Sequence, residues 1–90
     1  MKIKKGFVIQ KVDGSYLACA TGKLAKEFSA VAKLNATGLY IWNMIEQSAD
    51  AERDAIVAAF ANEFGVSSDL AERDVDAFLA TLSSNGILEE

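Results

Sequence analysis

The hydrophobic pattern changes its period at Asn35, and this change constrains the fold of the 90-residue chain more than any other feature. Before Asn35, apolar residues come in short runs bounded by turn residues, which is typical of β-strands. After Asn35 they recur every three or four residues, as on one face of an amphipathic helix. Strands followed by helices, with no internal repeat or linker, predict a single α+β domain over residues 1–90.

A hairpin signal lies in the first part of the chain, where Asp13-Gly14 separates apolar runs at residues 7–12 and 15–21. A type I′ turn needs positive φ at both central positions, which this residue pair tolerates well. The pairs that this turn would set opposite each other are Val12 with Ser15 and Ile9 with Ala18. Residues 27–34 alternate well enough to form a third strand, although helix is the competing prediction for the alanine-rich residues 24–33.

Three helices are predicted from the capping residues and apolar stripes that follow. Their expected limits are Asn35 to about Gln47, near Asp50 to Gly65, and Ser67 or Ser68 to Asn85-Gly86. Ile87 and Leu88 would then fold back onto the last turn. The fold class is therefore α+β, with a three-stranded antiparallel sheet followed by three helices in a winged-helix-like arrangement. One face of so thin a sheet must be covered by the helices.

The residue types that most enzymes rely on are missing. The chain has no histidine and a single cysteine, Cys19. These absences exclude an intrachain disulfide, a Cys/His zinc site and catalysis by a histidine base. The six glycines are dispersed, so that no phosphate-binding loop is present. The densest carboxylate cluster, at Asp69, Glu72, Asp74 and Asp76, is interpreted as a solvated helix surface. We therefore expect a binding module that is not an enzyme and holds neither a cofactor nor a metal.

The net charge of −4 hides an uneven distribution of charge. Residues 1–33 hold all seven lysines against two acids and carry +5, whereas residues 34–90 hold two arginines against eleven acids and carry −9. Such a division suggests that the two parts face different partners. The alternative is that each part simply has a differently charged solvated surface.

Charge and hydropathy also bear on partners and location. The third predicted helix carries Arg73 against four acids, a balance that would repel nucleic acid, whose binding depends on neutralised phosphates. No apolar run approaches the ~20 residues of a membrane-spanning helix. The basic start of the chain is followed by no signal-peptide core. We expect a cytoplasmic protein that binds neither nucleic acid nor membrane.

One strand edge remains available for binding. If the strands form a meander, the third strand lies at the edge of the sheet, and it contains no proline and mostly small side chains. An extended peptide would add there as a further strand, against the apolar stripe of the third helix. The members of this stripe are Ala71, Val75, Phe78, Leu79 and Leu82. Alternatively, the stripe only seals the core and Lys33 protects the edge, or the edge pairs with its own copy in a homodimer.

Residues 28–42 closely resemble the central signature of the PqqD-like family, in which a strand runs into Leu-Asn-x-Thr-Gly-x-x-Ile-Trp. Here the corresponding residues are Leu34-Asn-Ala-Thr-Gly-Leu-Tyr-Ile-Trp42. The Asp13-Gly14 hairpin is similar to the family's opening. Residues 74–88, which end in Asn-Gly-Ile-Leu, resemble its last helix and closing Gly-x-Leu. The resemblance covers essentially the whole chain.

The resemblance implies a peptide-recognition role in the biosynthesis of ribosomally made, post-translationally modified peptides. Members of the family bind the leader of a precursor peptide as an added strand and act as chaperones that present it to a modifying enzyme, often a radical-SAM enzyme. The founder serves pyrroloquinoline quinone biosynthesis. By resemblance, the leader groove lies between the third strand and the third helix. The expected peptide-binding residues are Phe28, Ser29, Ala30, Val31, Ala32 and Lys33 on the strand, and Asp74, Val75, Phe78 and Leu82 on the helix.

A different class of function remains open from the residues themselves. Three strands and three helices also suit a small winged-helix regulator or adaptor that binds DNA or a protein partner. Duplex binding that weakens steeply with salt would favour this alternative over peptide binding.

Overall fold

A computed structural model describes residues 1–22, 32–48 and 51–89. Its strands are β1 (Lys2–Ile3), β2 (Phe7–Val12), β3 (Ser15–Ala20), β4 (Ala32–Leu34) and β5 (Leu88–Glu89), and its helices are α1 (Ala36–Gln47), α2 (Arg53–Phe64) and α3 (Ser68–Ser84). The change from strand to helix occurs at Asn35, as the sequence predicts. The predicted α+β architecture, with a three-stranded antiparallel sheet and three helices, is confirmed.

The main sheet is a meander in the order β2-β3-β4, with antiparallel neighbours. The predicted hairpin register is confirmed, because Val12 pairs with Ser15 and Ile9 with Ala18. Asp13 and Gly14 have φ values of 50° and 80°, as a type I′ turn requires. In the predicted third strand, Ala32–Leu34 forms β4, whereas residues 27–31 lie outside the described residues.

A second, smaller sheet joins the two ends of the described chain. Lys2 of β1 pairs with Glu89 of β5, and Ile3 pairs with Leu88. Strands of two residues are too short to show an alternating pattern, so the sequence does not reveal them. The predicted return after α3 is present, since the Ile87 N–H donates to the Leu82 carbonyl at 2.9 Å. Ile87 is fully buried, and Leu88 continues from it into β5.

The helix limits follow the capping residues. Asn35 caps α1 and Ser67 caps α3, where the Ser67 hydroxyl accepts from the Leu70 N–H at 3.2 Å. Gly65 ends α2 in the left-handed conformation, with φ of 63°. The expected start of α2 near Asp50 is wrong by about one turn, since the helix begins at Arg53. The Ala51 N–H, two residues before the helix, donates to the Ser48 carbonyl at 3.1 Å; Asp50 itself lies outside the described residues.

One apolar core unites the sheet and the three helices. Trp42 of α1 is completely buried at its centre, and its indole N–H donates to the Glu46 carboxylate at 2.9 Å. The other buried apolar residues are Phe7, Ala18, Leu34, Ile41, Ile45, Ile56, Val57, Phe60, Ala71, Val75, Leu82 and Ile87. Among the helices of the described ranges, none has the length and hydropathy needed to span a bilayer.

Arg53 connects α2 to α3. Its guanidinium donates from Nε and Nη2 to the two carboxylate oxygens of Asp76, each at 2.8 Å, and from Nη1 to Asp54 at 3.0 Å. Nη1 also approaches Glu72 at 3.4 Å. This two-pronged bond holds the first turn of α2 against the middle of α3. The hydrogen bonds from Arg53 lower the pKa of Asp76 below its usual value of 3.8.

Acidification should remove the contribution of this ion pair. Because the folded pKa of Asp76 lies below its unfolded value, the stabilisation is present above pH 3.8 and is lost as the pH falls through the folded pKa. We predict that Asp76→Asn lowers the thermal midpoint slightly at pH 7, and that the difference from the unmodified chain shrinks towards pH 2 and in high salt. Asp54→Asn is the control with a smaller effect, since this carboxylate is 89% exposed. A difference that persists at pH 2 would contradict the assignment.

Candidate functional site

A groove runs between β4 and α3 and reaches the beginning of α1. It consists of two adjoining cavities of about 380 and 290 Å³. The larger is lined by Ala32, Lys33, Leu34, Asn35, Phe78 and Thr81. The smaller is lined by Asn35, Thr37, Gly38, Ile41, Asp74, Ala77, Phe78 and Thr81. Asn35, Phe78 and Thr81 belong to both, so the two cavities form one continuous groove.

The helical wall consists of Asp74, Ala77, Phe78 and Thr81 on α3. These positions follow the spacing i, i+3, i+4, i+7 and therefore share one face of the helix. Of the helix residues expected to bind peptide, Asp74 and Phe78 line this groove. Val75 and Leu82 line neither cavity, and both are completely buried in the core. The apolar stripe marks the core face of α3, and the groove face is its neighbouring flank.

Ala77 and Thr81 are groove residues that the sequence did not single out. A small residue and a polar residue on an exposed helix surface carry no hydrophobic signal. The signal that identifies them is positional, since they lie three and seven residues after Asp74. The Thr81 hydroxyl donates to the Ala77 carbonyl at 3.1 Å, which holds this side chain against its own helix.

The strand wall is β4, which lies at one end of the β2-β3-β4 sheet. Ala32 pairs with Ala18 and Lys33 with Leu17 of β3. In the part of the chain that the structure describes, β4 thus has a sheet neighbour on one side, and its other side borders the groove. The remaining expected strand residues, Phe28, Ser29, Ala30 and Val31, lie outside the described residues.

The beginning of α1 closes the end of the groove. The Asn35 side-chain oxygen accepts from the Gly38 N–H and from the Thr37 hydroxyl, both at 2.8 Å. The first bond is the N-cap that the sequence predicts, with Asn35 in an extended conformation (φ −89°, ψ −177°). Because Asn35 also lines both cavities, the residue that begins the helix is part of the groove surface.

The groove has three features that can contact a ligand: backbone groups, apolar surface and charged side chains. Among the described residues that line it, Lys33 and Asp74 are ionisable, and both are exposed. Phe78 is half-buried and is the aromatic side chain among the described lining residues. Within residues 1–22, 32–48 and 51–89, no three His, Cys, Asp or Glu side chains are grouped so that they would hold a metal ion. Such a surface suits an extended chain that exposes main-chain donors and acceptors.

A family model and a solved structure both match this chain. The sequence model of the family described as coenzyme PQQ synthesis protein D (PqqD) matches residues 24–88, which include both walls of the groove. The chain belongs to the PqqD family. No curated protein sequence matches it with significance. Among solved structures, this PqqD family member is similar to TbiB1 in complex with the TbiA(beta) leader peptide. The TM-score is 0.76 at 27% identity, over 99% of this chain and 95% of that chain.

Removing the cap at the end of the groove should destabilise this PqqD family member. We predict that Asn35→Ala lowers the free energy of unfolding by about 1 kcal/mol, because the Gly38 N–H loses its acceptor. Asn35→Asp keeps an acceptor oxygen and should lose much less. Urea unfolding of the three proteins measures both differences. Equal losses in the two variants would show that the cap is not the stabilising interaction.

Proposed function

We propose that this PqqD family member binds the leader of a ribosomally made precursor peptide as an added strand along β4 and presents the peptide to a modifying enzyme. One observation carries the proposal: β4, which lies at one end of the sheet, lines a groove whose opposite wall is α3. The similarity to TbiB1, whose structure contains a leader peptide, supports the same conclusion.

The proposed binding mode uses the ordinary geometry of a sheet edge. Main-chain groups of the peptide pair with β4 and supply affinity, while alternate side chains enter the cavities and supply specificity. At about 3.3 Å per residue, Ala32–Leu34 alone accounts for roughly 10 Å of ladder. The ladder residues of the proposal therefore also include Phe28, Ser29, Ala30 and Val31. Asp74, Ala77, Phe78 and Thr81 form the opposite wall, and Val75 and Leu82 support it from the core.

The proposed role is that of a non-catalytic chaperone in the cytoplasm, where precursor peptides are made. Strand addition uses backbone groups and needs no reactive side chain. The modifying enzyme supplies the chemistry, and family resemblance suggests a radical-SAM enzyme. Pyrroloquinoline quinone is the product that the family founder serves, and it remains one candidate product here.

The charges of the described elements support a division of partners. Lys2, Lys11 and Lys33 lie on the strands, whereas the exposed surface of α3 is mainly acidic. We propose that an acidic leader approaches from the sheet side and that the acidic helices face a basic surface of the enzyme. Complementary charge mainly increases the rate of association, so this part of the proposal predicts slower binding in high salt.

The charges of α3 argue against DNA binding by this helix. The four acids of this helix, Asp69, Glu72, Asp74 and Asp76, are all exposed.

Homodimerisation through β4 is the competing use of the edge. Sedimentation at increasing concentration distinguishes it from peptide binding, because a peptide that takes the same edge should dissociate such a dimer.

An amide chemical-shift titration tests the binding site. The probe is the leader half of the precursor peptide encoded beside the gene. We predict large shifts at Ala32–Leu34 and at Asp74, Ala77, Phe78 and Thr81, because the peptide backbone and side chains contact these residues. The amides of α2, Arg53–Phe64, serve as the internal control and should move little. Shifts confined to α2, or none at all, would overturn the proposal.

Filling the groove should weaken leader binding. Thr81 lines both cavities, whereas Ser83 is exposed two residues later and lines neither. We predict that Thr81→Phe weakens the affinity about tenfold or more, as expected when one central contact is lost, while Ser83→Phe has little effect. Calorimetric titration measures both. Equal affinities for Thr81→Phe and Ser83→Phe would place the peptide elsewhere.

A further inference from the structure

Phe78 occupies a special position in the groove because its half-buried side chain lines both cavities. The larger cavity is also lined by Ala32 and Lys33 of β4, and the smaller one by Thr37 and Gly38 of α1. Because Phe78 borders both cavities, a movement of its ring would change the volume of each.

Gly38 of α1 lies against this ring. A Cβ atom built on Gly38 would stand 2.8 Å from Cε1 and 3.2 Å from Cδ1 of Phe78. The first distance is too short for two carbon atoms in contact. Gly38 is buried within α1, where alanine forms helix better than glycine. The reason for glycine here is therefore the space that the ring occupies and not the backbone conformation.

We propose that Gly38 is a positioning residue that lets the Phe78 ring lie across the groove, so that the ring separates two subsites for alternate side chains of the bound strand. This inference rests on the proposed function and refines it. Side chains on one face of a strand are about 6.6–6.8 Å apart, two residues along the chain. The ligand class that fits is an extended peptide with two groove-facing side chains, one on each side of Phe78.

A methyl group at position 38, introduced by Gly38→Ala, should affect peptide binding by displacing the Phe78 ring. The closest atom is the outer edge of a side chain, which moves more easily than backbone, and the groove offers the open volume for that movement. The ring would then narrow the cavity bordered by Ala32 and Lys33 and close the path between the subsites. A second contact, 3.3 Å from the built Cβ to the Asn35 Oδ1, would press on the α1 cap, so the experiment must separate the two effects.

The test combines Gly38→Ala with Phe78→Leu, because leucine removes Cε1 and leaves the cap contact unchanged. In the chain with Phe78, Gly38→Ala should weaken binding of the leader half-peptide about tenfold, a coupling typical of residues in contact. In the Phe78→Leu background the same change should weaken binding less than about twofold, because the ring edge is gone. Asn43→Ala, an exposed change on α1, is the matched control and should leave the affinity unchanged.

A second measurement needs no peptide. Ring currents of Phe78 affect nearby nuclei, so Gly38→Ala should shift the amides of Ala32–Leu34 and Thr81 in the free protein, and these shifts should be largely absent in the Phe78→Leu background. If Gly38→Ala does not fold, the Gly38→Ala/Phe78→Leu double variant is measured in its place. A folded double variant supports the contact between residue 38 and the ring, and an unfolded one overturns the inference.

Each outcome can be distinguished from failure of the proposed function. If the unmodified chain binds no leader, peptide binding is wrong, while the free-protein shifts still test the contact. If the unmodified chain binds and Gly38→Ala binds equally well, the positioning role is wrong. Equal losses with and without the Phe78 ring would assign the effect to the Asn35 cap and would also overturn the inference.

Discussion

The hydrogen bond from the Gly38 N–H to the Asn35 side chain turns the chain from strand to helix within one residue. Leu34 ends β4 in the core, and Ala36 already begins α1. Because the turn is this short, the end of β4 and the beginning of α1 form one corner. The groove is the space between that corner and α3, so its shape depends on the Asn35 cap.

The third helix has two functions on two neighbouring faces. Ala71, Val75 and Leu82 are completely buried and fix the helix to the core. The flank that begins at Asp74 borders the groove with small, polar and aromatic side chains. Burial on one face makes the other face rigid, which reduces the conformational entropy that binding must remove. Core packing thus preorganises a surface that itself contains few apolar residues.

Most of the fold follows from local signals in the sequence. Asp13-Gly14, Asn35, Gly65 and Ser67 each impose a backbone geometry that needs little tertiary context, and the structure has a turn or helix limit at every one. The site was harder to predict. Periodicity shows which residues of α3 are apolar, and therefore identified Val75 and Leu82, but the groove face is set by the direction from which β4 approaches. The β1–β5 pair depends on contact between the chain ends, which no local pattern encodes.

In the proposed complex, a leader peptide lies as a strand between β4 and α3. Intermolecular nuclear Overhauser effects between isotope-labelled protein and unlabelled leader peptide test it most directly. We expect contacts from peptide Hα atoms to the backbone of Ala32–Leu34, and contacts from the Phe78 ring to peptide side chains two residues apart. Contacts restricted to α2 or to the exposed side chains of β2, such as Val8 and Val12, would contradict it.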